Sequence, residues 1–270
     1  MSTTVREGSA VAHVASANRK LSPVRLLDVP ASPRRRPVPV PPFVSSTYVS
    51  IKHTCPDTCV LKGAGCYVQS GYTKLANGLL DERGARTARR DKLAPMREEA
   101  RCIDKLGVRG VRQDGGKRGS SGRDLRLHVG GDATCAEGAA ILARAARRYR
   151  ERGGGDVWTY THRWRRIARR AWGGIHVLAS VETVEEAKAA LGRLYAIAMT
   201  VPQLPQERAV DVPGVGKLVP CPYETRGVTC VKCRLCLEPG RVGPGLPVVG
   251  VMFGAHGRDA ADFVQLRLGR

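Results

Sequence analysis

The chain has 270 residues, with 45 Lys or Arg against 24 Asp or Glu and a formal net charge of +21. A hydrophobic content of 42% suffices for one sizeable core, although aromatics at 5% leave Ala, Val and Leu to fill most of it. No stretch reaches the roughly 18 apolar residues of a membrane-crossing helix, and the polar N-terminus lacks a secretory apolar segment. These features argue against a membrane protein and a disulfide-stapled secreted domain, and a cytoplasmic protein with reduced cysteines is expected.

Residues 1–42 are rich in proline and arginine, with Ser32-Pro33-Arg34-Arg35-Arg36-Pro37 and a Pro-Val alternation running to Pro42. Proline at that density blocks helix and central strand alike, which predicts an extended, disordered tail. A single domain is expected over 43–270. Ser46 to Ile51 reads as its first strand, followed by cysteines and then a polar, basic, partly helical stretch from Leu75 to Gly107. Gly110 to Gly122 is a Gly-, Ser- and Arg-rich loop.

Regular alternation begins at Leu125 to Val129, a strand ended by Gly130-Gly131-Asp132. Thr134 and Glu137 form a capping box for a helix to Arg152. Asp156 to Tyr160 is the next strand, and Trp164, Ile167, Ala168 and Ala171 mark an amphipathic helix stopped by Gly173-Gly174. Ile175 to Ser180 is a strand, and Thr183 with Glu186 caps a helix carrying Ala187, Ala190 and Leu194. Tyr195 to Val201 and Val248 to Phe253 complete the strands. Strands alternating with helices mean an α/β fold with a parallel sheet of βα units, expected here as a partial, open TIM-like barrel. A Cys-rich C-terminal insertion is expected at 218–240. Right-handed crossovers put all strand C-terminal ends on one side, where sites are built.

Seven of the nine cysteines fall in two groups: Cys55-x3-Cys59-x6-Cys66, and Cys221-x8-Cys230-x2-Cys233-x2-Cys236. Thiolates so close repel one another unless a cation holds them, so all seven are candidate metal ligands. Three thiolates leave an open position on a 4Fe-4S cluster and four close one, which suggests one reactive site and one structural or electron-transfer site. Zinc obeys the same arithmetic, and His53 could complete a closed zinc site. Cys102 and Cys135 stand apart and read as packed thiols. At the strand ends Asp132, His162 and His256 are the candidate catalytic residues, and Gly130, Gly131, Asp132 and Ser180 the candidate cofactor contacts. Each has an ordinary reading too, since paired glycines turn chains and lone histidines pack or solvate.

The order of strand, cysteine loop, helix, strand and Gly-Gly-acid resembles the radical S-adenosylmethionine superfamily. That resemblance implies that Cys55, Cys59 and Cys66 bind a 4Fe-4S cluster. It also implies that Gly130, Gly131 and Asp132 stand at the amino group of S-adenosylmethionine, in one-electron chemistry. The chain departs from the superfamily in having x6 rather than x2 before the third cysteine, Tyr67 after rather than before it, and Asp for Glu. A second resemblance, to a phage-encoded family labelled gene product 88, covers most of the chain after the tail. It rests on Thr54-Cys55-Pro56-Asp57-Thr58-Cys59, Gly65-Cys66-Tyr67, Thr159-Tyr160-Thr161-His162, Val219-Pro220-Cys221-Pro222, the closing cysteines and Ala255-His256-Gly257. It implies phage origin, hence the cytoplasm of an infected or lysogenic host, and supplies no reaction.

The leading expectation is a radical-S-adenosylmethionine-like iron–sulfur protein with one or two 4Fe-4S clusters and an unknown substrate, its charge hinting at an anion. The alternative is a zinc-stabilised nucleic-acid-binding protein, favoured by the charge and by the arginines of 144–152 and 163–170. A purely structural metalloprotein is the third reading.

Overall fold

The computed structural model describes residues 10–13, 44–62, 65–69, 71–87, 91–108, 122–237 and 248–255. His256, most of the Gly110 to Gly122 run and the tail apart from 10–13 lie outside them. The described strands are β1 (Ala10–His13), β2 (Ser45–Val49), β3 (Leu125–Arg126), β4 (Val157–Thr161), β5 (His176–Val181), β6 (Ala196–Val201), β7 (Val210–Val212), β8 (Gly216–Pro220) and β9 (Val248–Gly254). They form one nine-stranded sheet in the order β1-β2-β3-β4-β5-β6-β9-β8-β7. The seven central strands are parallel, with β1 and β7 antiparallel at the two edges, so the sheet is open.

From β2 to β6 each strand lies beside its predecessor, so the winding keeps one direction. The crossovers carry α1 (Ile51–Thr54), α2 (Gly71–Thr87) and α3 (Ala94–Lys105), then α4 (Ala136–Glu151) and α5 (Val184–Leu191). Side chains alternate along each strand. Val157, Val177, Ala179, Val181, Ile197 and Met199 thus share a core with α3, α4 and α5 on one face. Tyr48 and Trp158 pack in a second cluster with Val129, Val68 and Leu237 on the other. The residues α4 presses onto the sheet are mostly small, and Ala139, Ala145 and Ala146 are fully buried. The few large aromatics are spent at the seams. Trp172 donates from Nε1 to the Tyr195 hydroxyl at 3.1 Å, and that hydroxyl donates to the Ile167 carbonyl at 2.7 Å. Truncating Trp172 to Ala would cost about 4 kcal/mol.

The α/β parallel sheet matches the expectation from sequence, but three local readings need correction. The helix expected over 164–171 is a turn followed by a short 3-10 helix at Arg169–Trp172, because Ala168 is extended (ψ 141°). Both Trp164, whose Nε1 reaches the Ser180 carbonyl at 3.1 Å, and Ile167 are buried, anchoring the segment by burial rather than periodicity. Cys135, not Thr134, stands at the N-cap of α4, with no side-chain cap bond. The third is β3, regular over only Leu125–Arg126, after which His128 takes φ 51° while the Leu127 and Val129 amides still bond the Trp158 and Thr47 carbonyls at 2.9 and 3.0 Å. The second cap holds: the Glu186 amide donates to Thr183 Oγ1 at 3.2 Å, while its carboxylate accepts from the Glu182 amide at 2.9 Å.

Among the described residues no helix is long and apolar enough to cross a membrane.

Candidate thiol-lined site

The first cysteine group leaves the C-terminal end of β2 through α1, which Ser50 caps by accepting from the His53 amide at 3.3 Å. A series of tight turns follows: Cys59 N to Pro56 O, Lys62 N to Cys59 O and Cys66 N to Leu61 O, at 3.2, 3.1 and 3.0 Å. The wide x6 spacing thus contains an extra turn, pinned by Lys62, whose ammonium bonds the Cys55 carbonyl at 2.9 Å. The His53 ring donates to the Asp81 carbonyl at 3.0 Å, on α2.

Thr54 ties this loop to two other strand ends. Its hydroxyl accepts from the Asp132 amide at 3.1 Å, and its carbonyl accepts from Arg163 Nη2 at 2.8 Å. The Asp132 carboxylate accepts from Thr161 Oγ1 and the His162 amide, both at 2.9 Å, and from the Ala133 amide at 2.7 Å. Gly131 sits at φ +92°, where a Cβ would lie 2.2 Å from Val49 Cγ2, and a Cβ on Gly130 would lie 2.8 Å from Val68 Cγ1. The glycine pair is therefore required by close approach between the β3 end and the first cysteine loop.

The second group starts where β8 ends. The Cys221 amide donates to the Met252 carbonyl of β9 at 2.9 Å, and α6 (Pro222–Arg226) begins with Pro222. Gly227 turns the chain in the left-handed region, leading to α7 (Cys230–Cys233). Arg234, itself at φ 56°, binds the carboxylates of Asp124 and Asp156, the latter at 2.6 Å. Those aspartates immediately precede β3 and β4. The segment therefore runs from the C-terminal end of β8 to the N-terminal ends of β3 and β4, covering the face opposite α3, α4 and α5. Leu237 is buried there, and Tyr160 of β4 donates to Cys236 Sγ at 3.1 Å.

All seven grouped cysteines line one cavity of about 470 Å³ between that segment and the sheet. Gly130, Gly131, His162 and Ser180 line it too. Asp132 is buried behind the wall, where its carboxylate is engaged by the three donors above. Cys102 packs against the helix-side core.

Burial pushes the Cys55 thiol well above its ordinary range, helped by Asp132, Cys59 and Cys66. Burial also raises Cys66. At Cys59 burial acts in the same direction but is overcome by a hydrogen bond from His162, and its pKa falls. His162 rises well above the ordinary imidazole value: burial opposes its charge, but Cys59 and Glu182 outweigh it. Glu182 Oε1 lies 3.3 Å from His162 Nε2. In the second group burial raises both Cys233 and Cys236, with Cys221 adding to each.

Within each group the thiols thus lie in electrostatic range of one another. Among the described residues, however, no three His, Cys, Asp or Glu side chains converge as a ligand set for a single metal ion. A cavity walled by two sets of thiols has donors suited to a thiolate-ligated cluster, which spreads its ligands more widely than one ion does.

Sequence reasoning overlooked several neighbours. Arg126 and Trp158 line the cavity, Tyr160 touches Cys236, and Glu182 backs His162. The alternation Leu125-Arg126-Leu127 signals an arginine on the face opposite α3, α4 and α5. Comparison with family models, curated proteins and solved structures gave no match for this chain.

Proposed function

We propose that the chain is an iron–sulfur protein of the radical-S-adenosylmethionine type, of phage origin, acting on an organic substrate within this cavity. One observation carries the reading: seven cysteines from two distant segments line a single cavity on the open face of a parallel sheet. Disulfide or core-packing roles would not gather unpaired thiols around a void; all nine cysteines are free. In this reading the one-directional order from β2 to β6 is that of a partial barrel, and the 221–237 segment closes its open side.

Cys55, Cys59 and Cys66 would hold a cluster with one open position, and Cys221, Cys230, Cys233 and Cys236 a second, closed one. Such clusters supply one electron at low potential. The chain's own residues do the positioning. Asp132 holds the His162 amide and Thr161 in place, so it orients the wall rather than touching a ligand. Gly130 and Gly131 present backbone at the cavity edge, where a cofactor's polar end can approach. His162, backed by Glu182, places an imidazolium beside Cys59. The test is anaerobic, reconstituted protein with S-adenosylmethionine and dithionite. Formation of 5′-deoxyadenosine by the wild type and its loss in Cys59→Ala are expected; no cleavage by cluster-loaded wild type would reject the reading.

The Cys59–His162–Glu182 contact favours a second reading, a thiol nucleophile with an imidazole base oriented by a carboxylate. It predicts full activity in metal-free protein and stoichiometric alkylation of Cys59 by iodoacetamide ahead of the other cysteines.

A further inference from the structure

Three polar atoms on neighbouring strands lack partners among the described residues, on Arg126 and Trp158, which line the same cavity, and on Ser46 beside them in the sheet. Ser46 of β2 is in register with Arg126 of β3, and Arg126 with Trp158 of β4. Register partners on adjacent strands project to one face. Ser46 Oγ, Arg126 Nε and Trp158 Nε1 are each sealed from solvent and unbonded. Ser46 and Trp158 are 0% and 3% exposed. The indole and the guanidinium are donors only, so neither can satisfy the other.

Arg126 is the centre of this row. Its Nη2 donates to the Tyr67 hydroxyl at 3.2 Å and its guanidinium lies 5.1 Å from the Tyr160 ring centroid. Besides burial, the groups that act on it most are Tyr67, Tyr160, Cys230 and Tyr48, and no carboxylate forms an ion pair with it among the described residues. Arg126 is half-buried, and a cation partly withdrawn from solvent without a counter-ion is costly, as is each unsatisfied donor. Water would satisfy Ser46 and Trp158 but leave the guanidinium uncompensated. The arrangement asks for an anionic acceptor of two or more oxygens, to which a guanidinium fork is matched.

We propose that Arg126, with Trp158, is the anion anchor of the cavity, and that the ligand it takes carries a carboxylate or phosphate group. This deepens the reading of the cavity above by naming its substrate class, yet its test does not depend on the cluster. Calorimetric titration of the full chain at constant ionic strength would use inorganic phosphate and acetate as probes, with the tighter one naming the group. One saturable site per chain is expected, weakened at least about tenfold in Arg126→Gln and several-fold in Arg126→Lys, which keeps the charge but loses the fork. Arg170→Gln, an exposed loss of the same charge, should bind as wild type.

Iron and sulfide would be measured on every sample. An Arg126-dependent site in iron-free protein supports the anchor and rejects the iron–sulfur reading. Iron-loaded protein without an Arg126-dependent site does the reverse. Loss of iron together with the anion in Arg126→Gln would make Arg126 a partner of the thiolates and overturn the proposal.

Discussion

Tyr160 donates its hydroxyl to the Cys236 sulfur across 3.1 Å, joining β4 to the cysteine segment that covers the sheet. That bond favours the Cys236 thiolate, against the burial that raises the thiol's pKa. Hydrogen bonds to ligating sulfurs set cluster potentials. Tyr160→Phe should therefore move one reduction potential to a more negative value, with iron content unchanged, in protein-film voltammetry. Unchanged potentials would mean that Cys236 is not a ligand.

Arg234 fastens the cysteine segment to Asp124 and Asp156. Its removal in Arg234→Gln should cost about 2 kcal/mol, as for hydrogen bonds to charged groups, read by urea denaturation. Burial pushes the Asp124 carboxyl up to about 6 in spite of Arg234. A carboxyl raised in the folded state binds its proton there first, so it costs stability as pH rises from about 4 through about 6. Asp124→Asn should flatten that fall; an identical pH profile in the variant would refute the assignment.

Glu99 of α3 holds His128 at 2.8 Å, both side chains fully buried, and accepts from Thr47 Oγ1 at 2.5 Å. Burial opposes the His128 charge but Glu99 prevails, so its pKa is raised above 6.5. A raised imidazole contributes stability fully below 6.5 and loses it as pH climbs through the folded-state value. Glu99→Gln should cost about 3–5 kcal/mol at acid pH and less at alkaline pH. A cost growing with pH would contradict the pairing.

Gly131→Ala places a Cβ against Val49 at φ +92°. The expected cost is about 2–4 kcal/mol from strain and overpacking, seen as a lowered melting temperature. Wild-type stability in this variant would show that the β3 end and the cysteine loop are not held so closely.

Much of this was legible beforehand, for physical reasons. β4, β5, β6 and β9 are short runs rich in apolar and β-branched residues, and both cysteine groups declared themselves by spacing. The insertion of β9 between β6 and β8 was not legible, since strand order depends on contacts far apart in sequence. Nor was the turn at 164–168, where the spacing of Trp164 and Ile167 mimics a helix while each residue plugs a seam. The arginines show a different limit. Arg148 pairs with Asp104 at 2.8 Å, while Arg150, Arg152 and Arg169 cap the carbonyls of Gly174, Ile103 and Ile175 at 3.0, 2.9 and 2.8 Å. A run that reads as a nucleic-acid face is partly employed in tying loops together. Arg126, by contrast, is one arginine in a chain full of them, and only its position in the sheet sets it apart.

The central claim is that the seven thiols hold iron–sulfur clusters. Iron and acid-labile sulfide, with the absorption near 400 nm, should be measured on protein purified without oxygen. The account predicts about eight irons with matching sulfide per chain and a brown colour bleached by air. Colourless protein containing one or two zinc ions, or no metal, would contradict it.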